Sequence, residues 1–168
     1  NTAIGLDEAG INDDRDMLQE LKLVLRAHRV PGMVEADVPT MAQVLRMATV
    51  GGARTTPFGE AIGSLEVGKA ADMVLLDWDS IAYPYLDELT PTLDAVIQRA
   101  RQQSVTMTMC DGEVIYKDGL FTKVDRTVAL KALHDDLNKA LADDEVERRN
   151  LSKALLPYAR KFYADYID

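Results

Sequence analysis

The run Thr2-Ala3-Ile4-Gly5-Leu6-Asp7-Glu8-Ala9-Gly10-Ile11-Asn12-Asp13-Asp14-Arg15-Asp16-Met17 constrains this chain more than any other. A short apolar stretch ends on a carboxylate and passes through a polar loop into an amphipathic segment. Ala3 to Leu6 reads as a strand and Asp7 as the residue at its end. Glu8 to Asn12 then forms a loop, with Asp13 or Asp14 as the cap of the helix that follows. Where parallel strands alternate with helices, the carboxyl ends of the strands carry the chemistry. Asp7 is thus either a site residue or the start of an ordinary turn, in which Asp is common. Local spacing leaves both readings open.

From Met17 the apolar positions Leu21, Val24 and Leu25 recur at helical spacing, with His28 beside them and Val30-Pro31-Gly32 as the stop. His28 reads as a helix-end or packing residue, since no second metal donor stands three or four positions away. Thr40 with Gln43 forms a capping box for a second helix, and Gly51-Gly52 is expected to end it in a left-handed conformation. Past Ile62 the character changes. Ala71 to Asp77 reads as a buried strand, Trp78 to Pro91 as loop, and Ala95 to Gln102 as strand or helix. Ser104 to Cys110 and Glu113 to Tyr116 form a hairpin about Asp111-Gly112, with Cys110 buried. A further turn at Lys117-Asp118-Gly119 leads to Leu120-Phe121-Thr122. No glycine follows Asp125, and the apolar spacing there gives two helices. His134, flanked by Asp135 and Asp136, reads as solvated helix surface.

The 168 residues suffice for one domain with a real core, or for two pieces of a larger whole. A net charge of −9 argues against a nucleic-acid partner, and no apolar run approaches the roughly 20 residues of a membrane span. One cysteine excludes an internal disulfide and suits a reducing compartment, so a cytoplasmic location is expected. The chain opens on Asn1, inside an expected strand with no evident pairing partner in the next 60 or so residues. A missing front is therefore expected. Four of the nine Tyr and Phe residues, Tyr158, Phe162, Tyr163 and Tyr166, crowd the last helix, which suggests packing on a partner surface.

Three separated segments resemble the amidohydrolase superfamily, in its branch of cytosine and guanine deaminases, adenosine-analogue deaminases and triazine hydrolases. Gly5-Leu6-Asp7 with Asn12 and Asp16-Met17 is similar to the last barrel strand and the run after it. Ile62 to Asp77, through Gly63-Ser64-Leu65-Glu66-Val67-Gly68-Lys69, resembles the return into the small β domain and is the most specific of the three. Val105 to Gly119 resembles the closing hairpin. The resemblance spans about residues 2 to 125 and implies an α/β fold. Residues 1–61 would be the last strand and following helices of a TIM (β/α)8 barrel, 62–125 part of a β-sandwich domain, and 126–168 a C-terminal helical tail.

The resemblance also implies chemistry. In that family the aspartate ending strand eight binds the catalytic metal and handles the proton of the attacking water, and both roles pass to Asp7. One divalent metal is implied, zinc ahead of iron. Glu8 stands where the family keeps a small residue, and is expected to accept hydrogen bonds from a heterocyclic substrate. The family's His-X-His pair and its strand-five and strand-six histidines have no counterpart here, so the other ligands are expected from a missing N-terminal part of the same polypeptide. The implied whole is a metal-dependent hydrolase that deaminates, or dechlorinates, a purine, pterin, pyrimidine or triazine, expected to be a homo-oligomer such as a homodimer. The fragment alone would be inactive. The alternative is a non-catalytic assembly or scaffold module of the same fold.

Overall fold

The first helix, α1 (Met17–Ala27), begins where the apolar period begins, and Asp16 directly before it takes extended dihedrals and caps it. Its carboxylate accepts from the Leu18 amide at 3.0 Å. The cap is therefore neither Asp14 nor Asp13; Asp13 lies outside the residues that this computed structural model describes, which are 1–7 and 14–164. Asp14 instead receives the amide of Asp16 at 3.2 Å and the side-chain amide of Gln19 at 2.5 Å. A cap must sit next to the first helical residue, and only Asp16 does.

Thr40 caps α2 (Met41–Arg46) as expected, its hydroxyl accepting from the Gln43 amide at 3.3 Å while the Gln43 side chain accepts from the Thr40 amide at 2.8 Å. The helix does not stop at Gly51-Gly52. It widens into a π-helical turn over Met47–Gly51, and Gly52 keeps right-handed dihedrals with φ at −60°. Glycine serves close approach here instead: a Cβ on Gly51 would lie 2.3 Å from the Thr2 carbonyl oxygen.

The strands form one antiparallel sheet in the order β1 (Met73–Leu76), β2 (Val105–Cys110), β3 (Glu113–Lys117) and β4 (Leu120–Phe121). Met73 faces Met109 across β1 and β2, and Cys110 faces Glu113 at the hairpin end. Asp111 and Gly112 have φ of 49° and 80°, and Asp118 and Gly119 of 49° and 87°. Positive φ at both central residues makes tight turns matched to strand twist, as the Asp-Gly pairs foretold. Three expectations fail nearby. β1 is shorter than Ala71–Asp77 and not buried, with Val74 57% exposed and Leu75 45%, because among the described residues little covers the faces on which they stand. Cys110 is exposed, since it ends β2 at the rim of the sheet. Trp78 to Pro91 is not all loop: Asp77 caps a short helix, α3 (Trp78–Ala82).

The ambiguous segment resolves as α4 (Thr92–Arg99), whose Arg99 guanidinium donates to the Tyr85 carbonyl at 2.8 Å. α1, α2 and α4 pack on one another. Leu21, Leu25, Val44 and Ile97 are the buried centre of that cluster, with Ile4 and Leu18 against it. Ile81, Ala95 and Ala100 form a second cluster beside Leu76, and Leu18 touches both. Helices thus interrupt the region expected to be sandwich, and the described residues hold one sheet. Ala3 to Leu6 is irregular, because a strand exists only through its neighbours' hydrogen bonds and no described strand pairs with it.

Between these parts, Ser64 and Lys69 both donate to Glu66, at 2.5 and 2.9 Å. The Ser64 hydroxyl first, and the Lys69 ammonium second, hold the Glu66 carboxyl below its ordinary value. A carboxyl so depressed contributes stability above its unfolded pKa and loses it as pH falls through the folded one. An NMR titration is expected to find the Glu66 midpoint below that of a free glutamate, and Ser64→Ala should move it back up. An unchanged midpoint in that variant would show that the hydroxyl is not the cause.

Asn1–Val124 is one compact unit and Asp125–Asp168 another. The second holds the two expected helices, α5 (Arg126–Leu137), capped by Asp125, and α6 (Asp143–Ala164). Their apolar side chains, Leu133, Leu155 and Phe162 among them, are exposed. No helix among the described residues is long and apolar enough to cross a membrane.

Candidate functional site

The seven residues before the gap in the description are placed by their second and fourth members. Thr2 lies against Gly51, and Ile4 packs on the cluster of Leu21, Leu25, Val44 and Ile97. Asp7 follows three residues later, exposed and with φ at +52°, a conformation that aspartate tolerates better than most residues. Asp7 thus stands exposed, three residues beyond an anchored Ile4. Glu8 lies outside the described residues.

Two hollows flank this region. One of about 620 Å³ is walled by Thr2, Ile4, Val24, His28, Val38 and Gln43. The other, about 740 Å³, lies among α1, α2 and α4, with Arg26, Arg29 and Asp94 on its wall. Neither is lined by Asp7. Size alone therefore does not mark the site, and the chemistry of Asp7 is the better guide.

Zinc takes three or four protein donors, and among the described residues no group of three or more His, Cys, Asp or Glu side chains could hold a metal ion. The described residues do not fit a complete metal centre; Asp7 offers one oxygen donor. His28 ends α1 as an exposed cap. His134 lies exposed on α5, 3.1 Å from the Asn138 side chain. Both match the packing and surface readings.

The resemblance drew in Asp16, but sequence reasoning gave the cap to Asp13 or Asp14 and missed what Asp16 does. It is buried, and its second oxygen accepts from the Gln102 amide at 2.9 Å, a contact spanning 86 positions. Nothing local in the sequence encodes that partner. Its place immediately before Met17 could have identified the cap. Nearby, burial first, then Arg101 and Arg26, lower the pKa of Lys22, with Asp16 acting against them.

Residues 1–115 match the family model described as the amidohydrolase family, well over half of the chain, and the chain belongs to that family. It is 37% identical over 123 residues to a 5-methylthioadenosine/S-adenosylhomocysteine deaminase of Desulfovibrio desulfuricans, covering 73% of this chain and 27% of that protein. It is 30% identical over 139 residues to an S-triazine hydrolase of Gordonia rubripertincta, covering 83% and 28%. Among solved structures, it is similar to a zinc-bound adenosine deaminase from Xanthomonas campestris, at 34% identity and a TM-score of 0.67, covering 80% of this chain and 29% of that one. The chain thus spans little more than a quarter of the length of these relatives.

Proposed function

We propose that this chain is the carboxyl-terminal part of a metal-dependent hydrolase that deaminates an amino-substituted N-heterocycle, with adenine nucleosides as the first substrates to test. Water adds at the ring carbon bearing the amino group, the C–N bond breaks, and ammonia leaves with the ring carbonyl as product. The 34% identity to a zinc-bound adenosine deaminase over 80% of the chain carries this reading. Dechlorination, the alternative that the family resemblance implies, is the less favoured variant. In the whole protein, residues 1–61 would supply the last strand and helices of a TIM barrel, Ala3 to Leu6 pairing once its neighbouring strands are present. The remaining metal donors would come from polypeptide beyond these 168 residues.

A divalent metal, zinc ahead of iron, would supply water acidified enough to ionise near neutral pH. The role of this chain is narrower: Asp7 would offer an oxygen donor and accept the proton of the attacking water. Ammonia release by the intact protein from adenosine, 5′-deoxyadenosine, guanine, cytosine and an aminotriazine tests the reading. Chelation is expected to abolish release, and about one equivalent of zinc per chain to restore it. Failure to bind metal under any loading condition would favour the scaffold alternative.

Glu8 would contact the substrate, accepting hydrogen bonds from ring N–H or exocyclic amino groups, because a carboxylate at that position favours donors and leaves acceptor-rich rings unpaired. Glu8→Ala and Glu8→Gln are expected to change the ranking of substrates by kcat/KM. If both keep that ranking and stay within about threefold, roughly 0.7 kcal/mol, Glu8 does not recognise substrate.

A further inference from the structure

We propose that Asp16 is a positioning residue for Asp7, acting by locking helix α1 to the turn that opens strand β2; this rests on the catalytic reading of Asp7 above. Asp16 is 7% exposed, and both its oxygens accept from backbone amides, one two residues away and the other 86 residues away. One oxygen takes the Leu18 amide at 3.0 Å, the other the Gln102 amide at 2.9 Å. An ordinary helix cap needs only the first of these.

The second contact reaches the sheet. Gln102 opens the 3-10 turn Gln102–Ser104, and the Ser104 carbonyl accepts from the Asp77 amide at 2.8 Å, joining β2 to the start of α3. The turn is thus tied to two elements of the β region before it meets Asp16. On the other side, α1 carries Leu21 and Leu25, the buried residues on which Ile4 rests. Any tilt of α1 moves the seat of Ile4, and Asp7 is only three residues further along the chain. The path from Gln102 to Asp7 therefore runs through Asp16, α1 and Ile4, from an exposed residue through a buried carboxylate and a buried helix face to an exposed one. The backbone before the cap fits a locked position: Arg15 is held at φ +51°.

Two substitutions remove the Gln102 contact while sparing the helix cap. Asp16→Asn keeps an oxygen for Leu18, since asparagine caps helices as well as aspartate, but turns an N–H toward Gln102. Gln102→Pro deletes the donor itself, at the first position of a turn and after an extended Arg101, where proline fits. Each is introduced into the intact enzyme and into its Asp7→Asn form. Turnover, KM, zinc affinity by chelator competition and circular dichroism are measured well below the unfolding temperature.

Each substitution is expected to lower kcat at least tenfold with KM within threefold, to weaken zinc binding, and to leave the circular dichroism unchanged. In the Asp7→Asn background neither should lower kcat by more than threefold, because the group they position is gone. Parent-like kcat in either folded variant overturns the proposal, as does an equal loss in both backgrounds. If Asp7→Asn alone keeps kcat within threefold, the catalytic reading fails instead. Should one variant not fold, the other and its zinc affinity decide.

Discussion

Asp7→Asn in the intact protein is expected to lower kcat by about 10²- to 10⁴-fold while leaving circular dichroism and unfolding temperature close to the parent. Asparagine has the same shape and retains one acceptor oxygen, but it takes no proton at neutral pH and carries no charge toward a cation. The fold should not register the change, because Asp7 is exposed and no described hydrogen bond depends on its side chain. A fall in kcat without a matching rise in KM would place the loss in the chemical step. Near-parent turnover with metal verified in place would remove Asp7 from the mechanism. A large drop in unfolding temperature would instead show that its positive φ serves the fold.

The largest stability effect is expected from Ile97→Ala, a loss of about 2–5 kcal/mol by denaturant titration. Ile97 is fully buried where α1, α2 and α4 meet, against Leu21, Leu25 and Val44, while Ala95 on the same helix belongs to the second cluster. Truncation leaves a void whose walls are held by three helices and has little freedom to collapse. Leu75→Ala, at a position 45% exposed on β1, is the control and should lose under about 1 kcal/mol. Equal losses at the two positions would mean that packing among the helices is not what stabilises this unit.

What the sequence made legible was local. The Thr40 capping box, the Asp-Gly hairpins and the helical period after Met17 each depend on residues a few positions apart, and each appears as expected. Two of the errors have a common physical origin, and a third is local. Val74 and Leu75 have the composition of a buried strand, but burial is conferred by whatever covers them. Ala3 to Leu6 has the composition of a strand, but pairing is conferred by neighbours. Trp78 to Ala82 was masked by the prolines beyond it, although Asp77 was in place to cap it. Asp7 was legible as a candidate only, through its position after an apolar run and through family resemblance. The Asp16 to Gln102 contact was not, because a hydrogen bond across 86 residues leaves no trace in local spacing.

The π-helical turn at Met47–Gly51 holds about one residue more than an α-helical turn of the same rotation. Each residue of an α-helix advances the chain by about 100°, so adding or removing one is a rotation as well as a change of reach. Deleting a single residue from the widened turn would let the helix return to ordinary pitch at no loss of hydrogen bonding. Here, however, the surplus residue is taken up within one turn, so the helix on either side would keep its angular phase. Ala48 packs on the core and Gly51 admits no side chain against the Thr2 carbonyl, whereas the exposed Thr49 accepts substitution with little consequence. The helix thus carries a spare residue beside a contact that leaves no room for a side chain.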